Sequence, residues 1–370
     1  MSTTLAPEEL SKRLVSLDFM RGLIMVLLAL EAAGLYNVLY DSTEHTTLGI
    51  FFEQFHHHPW NGLRFWDLIQ PGFMFIAGTA MAYSVTRMKE KNVPASTRTI
   101  KILKRCGWLF FWGVLNYAVR KKGLSFELWN VLTQLSFTIL VAYLIFNWSS
   151  RNQILFSIGL LLLTEALYRF TNVPDFNQPF TDQHNFGNYM DWLLMGKINK
   201  GGWVAINCIP TAVHTIAGAV VGKLLMSSSS SKTKQLVYWG LGTLVAGYVL
   251  DFTQITPIIK RISTSSFTLA SLGWCLLGLA ACYYWIDVKG KHKGLFFFNV
   301  VGMNSIFIYL FFEIVGDRWF NGYVGSITNG LMQMMNTPDL LQSIITCLCI
   351  FMLEWGICLF LYRKKIFFRL

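Results

Sequence analysis

Long apolar runs recur along the whole chain and constrain its fold more than any other feature of the sequence. A helix needs roughly 20 mostly apolar residues to cross a bilayer. Ten segments are read as such helices, at residues 20–39, 65–85, 106–119, 130–147, 154–168, 204–226, 235–250, 265–286, 296–314 and 340–362. The sequence therefore predicts an all-α, polytopic transmembrane helix bundle with about ten spans.

Several segments qualify this simple pattern. The runs at 106–119 and 154–168 are short and would need a tilted helix or a locally thinned bilayer. Residues 325–341 form either an interfacial helix or part of an eleventh crossing. The serine run at 227–234 predicts a flexible cytoplasmic linker, and no internal repeat or second domain is evident. We therefore expect one transmembrane domain over residues 1–370.

The composition agrees with a membrane protein and argues against a soluble one. Only 14% of the residues are charged, whereas soluble domains carry roughly 25%. The formal charge of +11 does not indicate nucleic-acid binding, because the basic residues lie in short clusters between apolar runs, as in cytoplasmic loops. The expected environment is lipid, and no nucleic-acid partner is expected.

The distribution of lysine and arginine predicts the orientation. With ten spans and the N-terminus inside, about 21 basic residues lie inside and about 10 outside, which favours an N-in, C-in topology. Residues 1–19 are then a cytoplasmic segment, and the first apolar run is a retained anchor rather than a cleaved signal peptide. The basic residues at 120–122 oppose this arrangement, since they would lie outside.

Three consecutive histidines, His56 to His58, stand between the first two predicted spans and therefore on the outer face. Successive side chains cannot all point one way, so at most two of them line one site. Pro59 and the Asn61–Gly62 pair predict a rigid turn, and Trp60 is a candidate interface anchor. The histidines are either solvated loop residues or a proton-transfer site, because imidazole exchanges protons near pH 7.

A metal site and disulfides are not expected from the same residue types. Adjacent histidines chelate one ion poorly, and His45 adds no i, i+4 pair to the cluster. The seven cysteines lie almost wholly inside predicted spans and form no CxxC pair.

Five sequence blocks resemble one known family. They are SLDFMRGLIMVLL at 16–28, HHPWNGLRFWDLIQPGFMFIAGTAM at 57–81, WNVLTQLSFTILVAYL at 129–144, PIIKRISTSSFTLASLGW at 257–274 and VVGMNSIFIYLFFEI at 300–314. In content and order they are similar to the membrane catalytic region of the heparan-alpha-glucosaminide N-acetyltransferase family and its bacterial relatives. The resemblance covers about residues 13–313.

The resemblance implies an enzyme that moves an acetyl group from cytosolic acetyl-CoA to an amino sugar or other glycan on the opposite side, by N- or O-transfer. The family's catalytic histidine stands three residues before the tryptophan of the WNGL motif, which is His57 here. It would act as acetyl acceptor or as general base, and both routes need an unprotonated imidazole. A bacterial inner membrane is the expected location.

Further site residues are expected with alternatives left open. Asp67 either orients His57 or caps a helix, and Asn304 either assists catalysis or joins helices. Arg21 either pairs with Asp18 or contacts CoA phosphates, and Glu31 stands where the family commonly has an asparagine. Tentative binding residues complete the set: Arg21, Glu31, Trp60, Asn61, Gln134, Lys260, Ser265 and Ser305. For Ser265 and its neighbours Thr264 and Ser266, helix capping is the favoured reading.

Two other function classes remain open at this stage. A transporter or lipid-linked-sugar flippase also needs buried polar groups at mid-membrane. A non-catalytic scaffold explains the apolar spans but not the polar residues within them. Membrane lipids are expected partners, and the sequence leaves a homodimer open.

Overall fold

A computed structural model describes residues 14–118 and 124–368, and the regular secondary structure within them is helical. The basic residues at 120–122, and residues 1–13 of the expected cytoplasmic segment, lie outside the described ranges. The α-helices of these residues are α1 Val15–Ala32, α2 Leu35–Thr43, α3 Thr47–Glu53, α4 Ile69–Glu90, α5 Ala95–Ala118, α6 Val131–Leu144, α7 Ser150–Phe170, α8 Phe186–Met195, α9 Cys208–Met226, α10 Lys232–Phe252, α11 Ser265–Cys282, α12 Leu295–Gly302, α13 Ser305–Leu310, α14 Asn321–Met334 and α15 Asp339–Arg363. The predicted all-α class is confirmed.

Short non-α segments join several of these helices. A 3₁₀ turn, Phe65–Leu68, leads into α4, and another, Ala205–Asn207, leads into α9. Wider π-helical turns occupy Tyr283–Val288 after α11 and Phe311–Phe320 between α13 and α14. Such π segments are rare and are frequently found at functional sites.

Contacts within the chain divide it into two compact units. We call residues 14–56 and 279–368 the terminal unit, which contains α1 to α3 and α12 to α15. Residues 57–278 form the central unit, which contains α4 to α10 and most of α11.

Five helices of the described residues are long and apolar enough to cross a membrane. They are Phe65–Glu90, Ser150–Phe170, Ala205–Met226, Ser265–Val288 and Asp339–Arg363, and two bent helix pairs raise the number to seven if each pair is one span. The predicted segment 154–168 is thus longer than expected, because its helix begins at Ser150 and ends at Phe170. That helix needs no thinning of the bilayer.

The other predicted segments are also helical but differ in length or shape. The segment 106–119 is the second half of α5, 130–147 contains the shorter apolar helix α6, and 235–250 lies within α10. Residues 325–334 continue the helical run that begins at Ser305, and α10 begins at Lys232, within the predicted linker 227–234. The structure thus supports five to seven spans by length and composition.

Two predicted straight spans are bent. The first, 20–39, breaks between α1 and α2 with an angle of 65°, where Gly34 adopts a φ of 87° that favours glycine. The second, 296–314, breaks by 71° between α12 and α13, and Asn304 precedes the first residue of α13.

In the terminal unit, the N-terminus of α1 is capped by a distant carboxylate. Asp287 accepts the backbone N–H groups of Val15 and Ser16 at 3.1 Å each. These amides have no partner within the helix, and a negative charge at a helix N-terminus is favourable. Asp287 thereby joins the π segment Tyr283–Val288 to the start of α1.

In the central unit, α4 and α9 approach each other through glycines. A Cβ on Gly78 would lie 2.0 Å from the Thr215 carbonyl oxygen, and one on Gly218 would lie 2.0 Å from the Phe75 carbonyl oxygen. Small residues allow such close backbone contact between membrane helices. This close pair of helices holds the segment that contains Asp67 in place.

We predict that Gly218→Ala destabilises the protein although alanine is the better helix former. The new methyl group cannot fit against Phe75 without moving the helices apart, at a typical cost of about 1–3 kcal/mol. Gly242→Ala is the matched control, because nothing lies within 4 Å of the position that a Cβ would take there, and alanine should be neutral or stabilising. Thermal unfolding in detergent measures both, and equal melting temperatures would contradict the close approach.

Candidate functional site

The loop that carries the histidines is tied to the segment before α11. Gly62 N donates to the Ile258 carbonyl at 2.8 Å, and Asn61 pairs with Ile259 as an isolated antiparallel bridge. Gly62 has a φ of 144°, and a Cβ there would come within 2.6 Å of the His58 ring. The His58 ring therefore packs over Gly62, while His57 faces a different set of groups.

Asp67 organises this loop from a fully buried position in the 3₁₀ turn. Its Oδ2 accepts the backbone N–H of Arg64 at 2.9 Å and that of His58 at 3.3 Å. Its Oδ1 lies 3.0 Å from His57 Nδ1. One oxygen therefore contacts His57, and the other accepts backbone N–H groups at the start of the turn.

Lys260 completes a three-residue cluster with His57 and Asp67. Its Nζ lies 3.0 Å from His57 Nδ1 and 3.5 Å from Asp67 Oδ1. The lysine side chain is 6% exposed and that of Asp67 is 1% exposed, so this ion pair is buried. Two oppositely charged groups thus face the same ring nitrogen, Nδ1.

The surroundings hold the imidazole of His57 in its neutral form near pH 7. Burial lowers the pKa of His57 from 6.5 to about 4 and the Lys260 charge acts in the same direction, whereas the contact with Asp67 opposes it. The side chain is 37% exposed. Among the described residues no group hydrogen-bonds to Nε2, the nitrogen on the far side of the ring from Asp67 and Lys260.

Aromatic and cationic groups surround the ring. Trp203 meets His57 edge to face with ring centres 5.5 Å apart, and Lys260 and Arg261 lie 5.3 and 6.0 Å from the Trp203 ring centre. Arg261 also donates to the Gly201 carbonyl, which fixes the turn before Trp203. The indole N–H of Trp60 donates to the Phe180 carbonyl at 2.8 Å.

The structure brings only part of the predicted set together at this site. His57, Asp67, Asn61 and Lys260 are joined by the contacts above. Gln134 instead bonds the Gln70 side chain within the central unit. Ser265 is buried at the start of α11, where Thr264 accepts the Phe267 N–H at 3.4 Å as a helix cap.

The remaining predicted residues belong to the terminal unit. Arg21 bonds Asp18 at 2.6 Å, which is the structural pairing that the sequence allowed. Asn304 is buried, and its side-chain amide donates to the Ile366 carbonyl and accepts the Phe368 N–H. These contacts attach the C-terminal segment to the α12–α13 break. Glu31 is exposed on α1, and Ser305 is the first residue of α13.

Sequence reasoning did not identify the ring neighbours Trp203 and Arg261. Arg261 directly follows Lys260 in the PIIKRISTSS block, which was the available signal. Trp203 ends a long loop rich in aromatic residues, and only the fold brings it to His57. As for metal ligands, the described residues contain no group of three or more His, Cys, Asp or Glu side chains placed to hold an ion.

Apolar helices of membrane-crossing length and a His57–Asp67–Lys260 cluster, in which the aspartate and the lysine are buried, define a helical membrane protein with a preformed polar site. The chain matches the family model described as heparan-alpha-glucosaminide N-acetyltransferase, catalytic, over residues 13–251. That is more than half of its length, and the chain belongs to this family. The resemblance predicted from the motif blocks is confirmed, and the chain is an integral membrane protein of an acetyltransferase family.

Two relatives extend the similarity beyond residue 251. The heparan-alpha-glucosaminide N-acetyltransferases of Mus musculus and Homo sapiens are each 24% identical to the chain, over 97% and 98% of its length. The alignments cover 61% and 60% of the relatives, so the chain spans about three fifths of the length of these curated proteins. Lys260 lies within these alignments but outside the region matched by the family model.

We predict that Asp67→Asn strongly destabilises the protein and that a second substitution partly reverses the effect. Asparagine removes the carboxylate charge that faces the buried Lys260 ammonium, and breaking such a pair typically costs about 3–5 kcal/mol. In the double variant Asp67→Asn/Lys260→Met the buried cation is also gone, so part of that stability returns. Unfolding of the wild type, both single variants and the double variant gives the coupling energy. Strictly additive effects would contradict the buried ion pair.

Proposed function

We propose that the chain is a membrane acetyltransferase that takes an acetyl group from cytosolic acetyl-CoA and delivers it to an amino sugar or other glycan on the extracytoplasmic side. The observation that carries this proposal is the His57 imidazole, neutral near pH 7, with Nδ1 between Asp67 and Lys260 and with Nε2 available. Membership of the N-acetyltransferase family supports the reaction class. The amino-sugar acceptor is proposed from the names of the relatives. O-transfer is kept beside N-transfer because the same imidazole would serve a hydroxyl or an amine.

Asp67 selects the reactive nitrogen. Its Oδ1 accepts Nδ1–H of the neutral ring, which places the lone pair on Nε2. In this tautomer Lys260 donates to the carboxylate, with its Nζ 3.5 Å from Oδ1, and its charge disfavours a second proton on the imidazole. The 3.0 Å contact between Nζ and Nδ1 belongs to the other tautomer, in which Nδ1 accepts from Lys260 and the proton is on Nε2. The histidine is thereby kept as a base or nucleophile in conditions that would protonate an ordinary imidazole.

Two routes use this nitrogen. In the first, Nε2 attacks the thioester carbonyl carbon, the carbon–sulfur bond breaks and CoA leaves as the thiolate. The acceptor then attacks the acetyl carbon, the bond from that carbon to Nε2 breaks, and the freed Nε2 takes the acceptor's proton. In the second, the acceptor attacks the thioester directly, Nε2 takes its proton, the carbon–sulfur bond breaks and CoA leaves as the thiolate. Both routes require the arrangement of His57 and Asp67 described above.

The membrane setting of the proposal follows the sequence. We propose about ten spans with both termini cytoplasmic, in a bacterial inner membrane, so that the His57 loop faces the outer side. The proposed partners in this membrane are lipids and a second copy of the chain in a homodimer. Further roles are proposed for other residues. Asn304 assists catalysis, and substrate or cofactor is bound by Arg21, Glu31, Gln134, Ser265 and Ser305. Trp60 and Asn61 are proposed binding residues within the histidine loop.

A transporter or flippase is the second candidate, favoured by fully buried polar pairs in the central helices. His214 Nε2 lies 2.9 Å from Ser271 Oγ, and Thr215 Oγ1 lies 3.0 Å from Thr138 Oγ1. Such groups inside spans are functional by default. Transport predicts substrate movement that needs neither acetyl-CoA nor His57, whereas the proposed acetyltransferase needs both.

We predict that His57→Ala lowers acetyl transfer by about 10²–10⁴-fold or abolishes it, because the base or nucleophile is removed. The measurement follows CoA release and protein-bound label from labelled acetyl-CoA, with and without glucosamine. His56→Ala is the matched control, since His56 contacts Asn37 and the Phe52 carbonyl instead of Asp67. Wild-type turnover in the His57 variant would exclude the proposed role.

We predict that Lys260→Met moves the acid limb of the pH–activity profile upward by about one unit or more. The wild-type limb should follow the pKa of His57 near 4, because activity is lost as the ring protonates. Removing the cation makes the second proton easier to add, and it also leaves the Asp67 charge to attract that proton. Lys260→Arg keeps a cation and should shift the limb less. An unchanged limb in the methionine variant would show that Lys260 does not control the ring.

A further inference from the structure

Glu354 is a fully buried carboxyl group that the proposed reaction does not use. It lies in α15, inside the candidate span Asp339–Arg363, and it is 0% exposed. Neither of its carboxyl oxygens has a hydrogen-bond partner among the described residues. A charged carboxylate buried without a partner is costly, and within a membrane segment it is functional by default.

A small gap lies beside Glu354 because the neighbouring residue Gly316 has no side chain. Gly316 belongs to the π-helical segment Phe311–Phe320. A Cβ placed on it would lie 3.5 Å from Glu354 Oε1, 3.4 Å from Asn321 Oδ1 and 3.4 Å from Phe312 Cβ. These are ordinary contact distances, so an atom-sized space with two oxygen atoms on its wall lies at this point.

The second oxygen on that wall is also unsatisfied. Asn321 donates from Nδ2 to the Ala32 carbonyl at 2.8 Å, which turns its Oδ1 toward the gap. This oxygen is buried and accepts no hydrogen bond from the described residues. Two buried acceptors therefore border one gap, and neither supplies the hydrogen that a bond between them requires.

Among the described residues, the three side chains nearest to the gap carry no positive charge. Phe312 and Gly316 face it from the π-helical segment, Asn321 faces it from α14, and Cys358 lies one turn beyond Glu354 on α15. A hydrogen on one of the two oxygens would let it donate toward the other. Glutamate can take a proton, whereas an amide oxygen cannot do so near neutral pH.

We propose that Glu354 and Asn321 form a proton-binding site in the terminal unit. Glu354 takes up one proton, becomes a neutral carboxylic acid, and its O–H donates across the Gly316 gap toward the amide oxygen of Asn321. Release of the proton restores the carboxylate and leaves two acceptors facing each other. The site is separate from the proposed acetyl transfer and does not depend on it.

The site is connected to a helix joint. Ala32, whose carbonyl accepts the other end of the Asn321 amide, is the last residue of α1 before the 65° bend into α2. Breaks in membrane helices are places where ions and protons are bound in other membrane proteins. Proton occupancy of Glu354 therefore acts, through Asn321, on the residue that ends α1.

Dicyclohexylcarbodiimide tests this proposal, because it enters apolar sites and adds to protonated carboxyl groups. The purified full chain in nanodiscs is treated over about pH 5 to 8, and peptide mass spectrometry locates the adduct. Labelling of Glu354 is expected, with none at this position in Glu354→Gln. Glu165 is the internal control, since it lies in another candidate span but pairs with Arg169 at 2.9 Å and should stay unlabelled.

Infrared spectroscopy gives an independent measurement that needs no access for a reagent. A carbonyl band of a protonated carboxylic acid should be present in the wild type and absent in Glu354→Gln. Glutamine mimics the neutral acid, so this variant should fold, and Asn321→Leu should shift the band because the acceptor is removed. Absence of both label and band would overturn the proposal. Suppression of labelling by sodium ions would also overturn it, since an alkali cation would then occupy the gap.

Discussion

The buried Asp67 carboxylate is the interaction on which the candidate site depends. One oxygen accepts the backbone N–H groups that shape the loop, and the other contacts His57 and Lys260, the residues of the proposed chemistry. The helix that follows is packed against α9 through Gly78 and Gly218, so the carboxylate stands on a rigid support. A preformed site of this kind needs little rearrangement before the reaction.

The charge balance within this cluster gives a reason why a lysine lies so close to a histidine that accepts a proton in the proposed reaction. Lys260 compensates the buried charge of Asp67, and without it the carboxylate would attract a second proton to the imidazole. Burial lowers the pKa of His57 most, and the Lys260 charge acts in the same direction against that of Asp67. In the proposed reaction the hydrogen bond to Asp67 leaves Nε2 as the reactive nitrogen, so the same ion pair would contribute both to stability and to the reactivity of the ring.

Much of the fold and part of the site follow from the sequence. Apolar runs locate the helices, and the WNGL block with the aspartate that follows predicts His57 and Asp67 as site residues, whose side chains are in contact in the structure. Local patterns do not reveal the bends after Ala32 and before Ser305, because a straight membrane helix and a bent one have the same hydropathy. Lys260 is 203 residues from His57 along the chain, so no spacing rule connects them, and only folding brings them together.

In the proposed reaction His57 is a neutral imidazole with its proton on Nδ1, facing Asp67. The nitrogen-15 chemical shifts of the two ring nitrogens in histidine-labelled protein report this state, and the signals that disappear in His57→Gln assign them. At about pH 6, where an ordinary histidine is largely protonated, we expect a protonated Nδ1 and an unprotonated Nε2. An imidazolium spectrum, or a proton on Nε2 in place of Nδ1, would contradict it.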